Sequence, residues 1–356
     1  MAKHLLFLVH GVGDTDPGWS KSIQDLIRAL YANYHIAKLM PFDQHFAFKE
    51  VNYNDKFDAR RTAWKTEADK VVTALSEGGM KAGAITKLTS IASEPSREEF
   101  LNTHALDVVM YRFLALEAEQ VRTAVQKQIL TALAAQPANE SGLWSVIAHS
   151  LGTSVMHDVL HQMFSPLRPV AFEPLPAGLF RPYVVMMVAN VSRLLENKSF
   201  FGDDGDAYRS FVRPSKDPAQ GACDFFINVR HEWDPIPKPR MFRPTDDWPD
   251  VATRAQRRYI DVEINAIEQP NVHDFSHYLK NPKTHVPLFR CLTVPDLLTE
   301  DEAAAASLAY EASTPLEKFK KEAKNLEKLS LPESEQDWRN IITMLRNYHD
   351  QFASQA

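Results

Sequence analysis

The amino-acid sequence predicts an α/β fold in which a mostly parallel sheet is covered on both faces by helices. Short runs of β-branched and apolar residues alternate with longer stretches of helical spacing, and this alternation is typical of parallel strands joined by crossover helices. The chain has 356 residues, of which 44% are hydrophobic. It is therefore long and apolar enough to bury a large core.

Seven segments have the composition of buried strands, bounded by polar or turn-forming residues. In chain order they are HLLFLVH from His4, FAFKEVNY from Phe46, DVVMYRF from Asp107, LWSVIAH from Leu143, PYVVMMVAN from Pro182, DFFINVR from Asp224 and YIDVEINAI from Tyr259. Helical spacing is found between them in SKSIQDLIRALYANY, ARRTAWKTEADKVVTALSEGG, LALEAEQVRTAVQKQILTALAAQ and GTSVMHDVLHQMF. Because parallel strands need crossovers, we expect these helices to cover the two faces of the sheet.

Three regions interrupt this alternation. Residues 79–104 follow a predicted helix without an intervening strand, which indicates a helical or loop insertion. Residues 195–223 are rich in Asp, Gly, Pro and Ser and are a candidate for a mobile loop. From about residue 300 the chain is rich in Ala, Glu and Lys at helical spacing. We therefore predict one α/β domain over residues 1–300 and a helical C-terminal extension over residues 301–356.

The net charge and the cysteine content indicate which partners and which cellular compartment suit this protein. The formal net charge of -6 gives no chain-wide attraction to nucleic acid. Only Cys223 and Cys291 are present, which fits a reducing compartment, although one disulfide is compatible with the sequence. The apolar start lacks a cleavage site, and no apolar run approaches the roughly 18 residues of a membrane span. We expect a cytoplasmic protein without an integral membrane segment.

A sharp strand-to-helix turn is predicted at Ser150. The segment LWSVIAHSLGTSVMHDVL indicates a strand from Leu143 to Ala148, a corner at Ser150 and a helix that opens around Gly152. A nucleophilic serine needs such a strained corner, with small neighbours that let the backbone turn, and Ala148 and Gly152 are small. A serine that only caps the helix would also fit here. The buried strand before the corner favours the nucleophile.

The first strand ends in VHGVGD, a glycine-containing loop. Such a loop can bring a backbone N–H group to a substrate carbonyl, where it pairs with the N–H of the residue after the nucleophile. Val12 and Leu151 are the predicted donors of this oxyanion hole. No G-x-G-x-x-G or G-K-[ST] pattern follows the loop, so a nucleotide phosphate site is disfavoured.

With LVHGVGD near its start and VIAHSLGTS in its middle, the chain resembles the lipase-like serine esterases of the α/β-hydrolase superfamily, in the branch with GPI inositol-deacylase-like enzymes. The likeness covers about residues 4–290, and Ala148 replaces the usual first Gly of G-x-S-x-G. The resemblance implies an α/β-hydrolase catalytic domain over residues 1–300, hydrolysis of a carboxylic ester, and a catalytic triad in the order Ser, Asp or Glu, His.

The segment DFFINVRHEWDPIPKP provides the acid of such a triad. Asp234 follows a predicted strand and precedes Pro235 and Pro237, which restrict the backbone and suit an orienting residue. The D-P-[IV]-P pattern also looks like that of the family. Glu232 is the alternative acid, and an Asp that only caps a proline-rich turn is the structural alternative.

Two histidines after the last predicted strand are candidates for the base. In NVHDFSHYLKNP, His273 lies only a few residues beyond the strand, where a triad histidine must reach over the edge of the sheet. Asp274 is a predicted N-cap of a helix that begins at Phe275, which places His277 in the first turn. The sequence HDFSHYL also resembles a family pattern anchored on its first histidine. We choose His273 and keep His277 as the alternative base.

These residues predict a lipase-like serine esterase that acts through an acyl-enzyme on a small-molecule or lipid ester. The same residues would serve a thioesterase, an amidase or an acyltransferase. A catalytically idle hydrolase fold that acts as a binding module is the alternative from another class. We expect no metal and no cofactor, because HExxH, CxxC and EF-hand patterns are absent from the sequence. His149, beside the nucleophile, is expected to pack or form a hydrogen bond within the corner.

Overall fold

A computed structural model of the chain describes residues 3–11, 17–56, 115–136, 142–165, 181–195, 210–234, 236–244, 248, 258–267, 271–294 and 297–313. Its strands are β1 (His4–Val9), β2 (Phe46–Val51), β3 (Trp144–His149), β4 (Val184–Val188), β5 (Phe225–His231) and β6 (Tyr259–Ile264). They form one sheet of order β2-β1-β3-β4-β5-β6, and every neighbouring pair is parallel. The predicted α/β class with a parallel sheet is therefore confirmed.

The α-helices of the described residues include α1 (Lys21–Ala32), α2 (Ile36–Leu39), α3 (Phe42–His45), α4 (Ala115–Ala134), α5 (Leu151–Phe164), α6 (Phe275–Lys280), α7 (Pro282–Leu292) and α8 (Glu300–Ser313), and a short 3-10 helix covers Lys238–Arg240. Helix α7 was not predicted, since Pro287 lies inside it and proline is unfavourable within a helix. Within the segments that the structure covers, no helix is long and apolar enough to cross a membrane.

Some predicted elements lie outside the described residues. They are the strand from Asp107, the helix within 59–79, the insertion at 79–104 and the C-terminal extension beyond residue 313. The six other predicted strands are present, and α8 begins where the helical extension was expected. The boundary between two domains near residue 300 stays a prediction.

Side chains of β1 alternate between two hydrophobic cores, one on each face of the sheet. Leu5, Phe7 and Val9 belong to the core that includes the apolar residues of α4 and α5. Leu6 and Leu8 belong to the core that includes those of α1, α6 and α7. A strand buried on both faces has no polar side to display, which explains the uninterrupted apolar run of β1.

The chain order of the strands reverses next to β1. From β1 the chain passes to β2 on one side, and it later returns to β3 on the other side of β1. Loops that leave the carboxyl ends of two such strands diverge, and the crevice between them is the usual ligand site of open parallel sheets. The chain after β1 and the chain after β3 are the VHGVGD and AHSLG segments.

Residues 214–223, the end of the 195–223 segment, are anchored at the opposite, amino edge of the sheet. The guanidinium of Arg181 donates hydrogen bonds to the carbonyls of Gly221 and Ser215, and Pro214 forms a parallel bridge with Cys223. Residues 196–209, which include Phe200 and Phe201, lie outside the described residues. Their role as a mobile segment stays a prediction.

Candidate active site

The backbone at Ser150 is strained. Strand β3 ends at His149, helix α5 begins at Leu151, and Ser150 between them has φ 52° and ψ -127°. Residues with a Cβ atom rarely adopt a positive φ, so surrounding contacts must hold this conformation. The Ser150 N–H donates to the carbonyl of Val188 at 3.0 Å, and the Ser150 carbonyl accepts the Thr153 hydroxyl at 2.6 Å.

Two glycines allow the loop after β1 to contact this corner. A Cβ atom on Gly152 would lie 2.2 Å from the carbonyl oxygen of His10, and one on Gly11 would lie 2.8 Å from Cβ of Ser150. Both distances are far below van der Waals contact. The glycines of the H-G and S-x-G patterns are thus required by the close approach of two backbones.

The structure brings together the three residues predicted for the triad. Nε2 of His273 lies 2.9 Å from Oγ of Ser150, and Nδ1 of His273 lies 2.6 Å from Oδ2 of Asp234. Ser150 follows β3, Asp234 follows β5, and His273 follows β6. All three therefore meet at the carboxyl edge of the sheet. The Asp234 side chain is fully buried, whereas that of His273 is 15% exposed.

The Asp234 carboxylate is surrounded by hydrogen-bond donors. Besides His273, the hydroxyl of Tyr278 donates to Oδ2 at 2.6 Å and the Ile236 N–H donates to Oδ1 at 3.0 Å. Burial by itself raises the pKa of Asp234, but the charge and hydrogen bond of His273, followed by the bonds from Tyr278 and Ile236, lower this pKa to about 2. Asp234 is therefore ionised at neutral pH.

These bonds define the tautomer of His273. An ionised carboxylate only accepts hydrogen bonds, so Nδ1 of His273 carries the hydrogen that it shares with Asp234. In the neutral ring Nε2 is then an acceptor and can receive the hydrogen of the Ser150 hydroxyl. This is the arrangement that a general base needs.

The alternative acid and base point elsewhere. Glu232 lines a surface groove together with Arg230 and Lys238, and no hydrogen bond among the described residues joins it to His273. His277 is buried in the first turn of α6, where its N–H donates to Asp274 Oδ1 at 3.1 Å, as the predicted N-cap requires.

The His277 ring faces His231, with 3.3 Å between the two Nε2 atoms. Burial, followed by the effect of His231, lowers the pKa of His277 to about 4. His277 is therefore a buried side chain that is neutral around pH 7 and packs against His231, and no hydrogen bond of the described residues joins it to Ser150.

His149 has a contact that sequence reasoning only partly anticipated. Its Nε2–H donates to the carbonyl of His273 at 2.8 Å, and its ring stacks on Phe275 with centroids 4.8 Å apart. Burial, followed by the nearby His273, lowers the pKa of His149 to about 3. His149 therefore stays neutral and links the nucleophile corner to the loop of His273.

Of the two predicted oxyanion donors, Leu151 lies within the residues that the structure describes. Leu151 is the first residue of α5 and is fully buried, and the first N–H groups of a helix have no acceptor within that helix. Val12 lies outside the described residues. The preceding backbone is held by Tyr53, whose hydroxyl donates to the carbonyl of His10 at 2.7 Å and whose ring stacks on the His10 ring.

Sequence reasoning missed two tyrosines, Tyr53 and Tyr278. Tyr278 lies within the HDFSHYL pattern, which was the available signal for it, whereas nothing local marks Tyr53. Among the residues that the structure covers, no cluster of three or more His, Cys, Asp or Glu side chains could hold a metal ion. The expected lack of a metal or cofactor stays a prediction.

Comparisons with protein-family models, with curated proteins and with solved structures find no match for this chain.

Proposed function

We propose that this chain is a serine hydrolase of the α/β-hydrolase fold and that it cleaves a carboxylic ester. One observation carries the proposal, namely the continuous hydrogen-bonded path from Ser150 Oγ through the His273 ring to Asp234 Oδ2. The strained corner at Ser150 and the chain order Ser, Asp, His are further features expected of that fold.

In the proposed reaction, His273 Nε2 takes the hydroxyl proton of Ser150 as Oγ attacks the ester carbonyl carbon. The protonated His273 then gives this proton to the leaving alcohol, and an acyl-enzyme forms on Ser150. Water attacks the acyl group while His273 again takes and returns a proton. Asp234 holds the imidazole in the productive tautomer and stabilises its positive charge.

Negative charge develops on the carbonyl oxygen during each attack. We assign its stabilisation to the N–H of Leu151, at the start of α5, and to the N–H of Val12. A preorganised donor of this kind contributes about 3 kcal/mol to the transition state. The N-terminal end of α5 adds a favourable dipole.

The proposed substrate is a small-molecule or lipid ester, without a nucleic acid partner. Thioesters and acyl transfer are compatible with the same residues. We also propose a cytoplasmic location, which is supported by Cys223 and Cys291, both buried and free, because free thiols persist in reducing compartments.

A fluorophosphonate probe tests the proposal, since it reacts with an activated serine. We expect wild-type protein to be labelled at Ser150, and Ser150→Ala to lose both labelling and hydrolysis of p-nitrophenyl esters. A panel of these esters with increasing acyl length, run beside phospholipids, would define the acyl preference. Folded wild-type protein that stays unlabelled would instead favour an idle hydrolase fold that acts as a binding module.

The two histidines provide a matched pair of variants. His273→Ala should lose activity by several orders of magnitude, because the residual rate without a triad member comes from the oxyanion hole and binding. His277→Ala should retain activity as long as the protein stays folded. Loss of activity in folded His277→Ala beside an active His273→Ala would contradict the assignment of the base.

A further inference from the structure

Tyr278 contacts the proposed acid from helix α6. Its hydroxyl donates to Asp234 Oδ2 at 2.6 Å, and the same oxygen accepts Nδ1–H of His273 at 2.6 Å. The Tyr278 ring is fully buried and lies edge-on to the rings of His231 and His149. These contacts give the hydroxyl a fixed direction.

His273 and Tyr278 belong to one short unit of chain. His273 lies in the turn before α6, and Tyr278 lies in the second half of this six-residue helix. Asp274 caps the helix between them by accepting the N–H of His277. The turn and helix therefore present two donors to one carboxylate oxygen and hold them in a fixed relation to each other.

The hydroxyl of Tyr278 is a permanent donor. Burial, followed by the charge of Asp234, raises its pKa well above the usual value, so the phenol is protonated at neutral pH, where Asp234 is ionised. Without Tyr278, Oδ2 of the buried Asp234 carboxylate would accept a hydrogen bond from His273 alone. The Tyr278 hydroxyl gives this oxygen a second, charge-assisted hydrogen bond. Such bonds fix geometry as well as lower energy.

We propose that Tyr278 is a positioning residue, whose hydroxyl holds the Asp234 carboxylate in the orientation that aligns His273 with Ser150. This inference rests on the proposed function, because alignment matters only if His273 acts as a base. Tyr278 itself has no contact with the Ser150 hydroxyl among the hydrogen bonds of the described residues. It acts through Asp234.

Other titratable groups surround Asp234 and His273, and a variant must be interpreted with them in view. They are His149 on β3, His231 at the end of β5, His277 on α6, and Asp274 before α6. The neighbouring histidines have lowered pKa values because they are buried. They are therefore neutral around pH 7, where Asp234 is ionised, and towards pH 3 they take up protons in the wild type and in the variant alike.

The test compares Tyr278→Phe with Tyr31→Phe. Both changes remove one hydroxyl from a fully buried ring, but the Tyr31 hydroxyl, near the end of α1, donates to the uncharged carbonyl of Met40 and not to a carboxylate. Two assays are run on each variant. The first gives kcat and KM for p-nitrophenyl butyrate, and the second gives the free energy of unfolding in urea between pH 7 and pH 3.

We expect Tyr278→Phe to lower kcat about tenfold with little change in KM, as the loss of one hydrogen bond to a charged group would predict. Because the variant removes a donor from ionised Asp234, the pKa of this carboxyl should rise. The stability difference from wild type should then be largest at pH 7 and narrow towards pH 3. Tyr31→Phe should show a pH-independent stability loss and wild-type kcat.

Wild-type kcat in Tyr278→Phe would overturn the inference, and so would a stability loss as pH-independent as that of Tyr31→Phe. The pair Asp234→Asn and Asp234→Asn/Tyr278→Phe is the second test, since the charge is absent from both. In the Asp234→Asn background, Tyr278→Phe should lower kcat less than twofold further. A full tenfold further loss of kcat would contradict positioning through Asp234. Failure of the proposed function would show separately, as absent labelling of wild-type Ser150, while the stability measurement needs no turnover.

Discussion

Gly152→Ala is the sharpest perturbation of the proposed site that leaves every polar group in place. The added Cβ would lie 2.2 Å from the carbonyl oxygen of His10 and 2.9 Å from that of Val9. Both obstacles are backbone atoms, so no side-chain rotation relieves the contact. The His10 carbonyl is also held by the Tyr53 hydroxyl.

The start of α5 and the end of β1 must therefore separate by about 1 Å to reach tolerable contact. Overpacking of this kind costs about 1 to 3 kcal/mol, and the better helix propensity of Ala offsets up to about 1 kcal/mol of that. We expect a net loss of about 1 to 2 kcal/mol in the free energy of unfolding. Because Gly152 is two residues after Ser150, we expect the shift to move Oγ and the Leu151 N–H. A displacement of about 1 Å lowers activity roughly 100-fold.

Gly221→Ala is the matched control. Its Cβ would lie 2.3 Å from the carbonyl oxygen of Arg213, which is an equally severe backbone contact, but Gly221 lies before β5 at the amino edge of the sheet. Urea unfolding should show a comparable stability loss for the two variants. Hydrolysis of p-nitrophenyl esters, at a temperature where both are folded, should be impaired in Gly152→Ala alone. Wild-type kcat/KM in Gly152→Ala, or an equal loss in Gly221→Ala, would refute this reasoning.

Two further predictions concern strain and charge at the same site. Ser150→Gly should be about 1 kcal/mol more stable than Ser150→Ala, because both lack the hydroxyl but only Ala keeps a Cβ at φ 52°; greater stability of the Ala variant in urea unfolding would contradict the strain. Asp234→Asn should have a lower free energy of unfolding than wild type, and this difference should shrink by about 1 kcal/mol from pH 5 to pH 3, since the pKa of about 2 in the folded protein lies below the ordinary 3.8. The ionised Asp234 stabilises the fold above about pH 4, and this stabilisation is lost as the pH falls through 2. A difference between wild type and Asp234→Asn that does not change with pH would contradict the lowered pKa.

The strands and the corner at Ser150 could be predicted because their signals are local. The run HLLFLV of β1 has the composition of a strand that is buried on both faces. The small residues of AHSLG meet the steric needs of a turn within five positions of sequence. The order of candidate residues after β3, β5 and β6 then places all three at one edge, because parallel strands share an orientation.

Contacts between distant segments could not be predicted in this way. The bond from His149 to the His273 carbonyl joins residues 124 positions apart, and the bond from Tyr278 to Asp234 depends on how α6 packs against the chain after β5. Neither residue type carries such a role by itself. Helix α7 was missed for a different reason, since Pro287 opposes it locally and burial of Leu288 and Phe289 in the core outweighs that preference.

The order of the strands in the parallel sheet also decides how long β1 lacks a neighbour during synthesis. Strand β1 pairs on one edge with β2 and on its other edge with β3. Strand β3 is synthesised about 140 residues after β1, which takes roughly 7 to 30 s at ordinary translation rates. Throughout this interval one edge of β1, which is apolar from Leu5 to Val9, is not yet paired with β3, and unpaired apolar edges promote aggregation of nascent chains. A chain interrupted before β3 would carry that hazard and would also lack Ser150, Asp234 and His273. We therefore expect expression at low temperature or with chaperones to raise the yield of folded protein more than any change in the site.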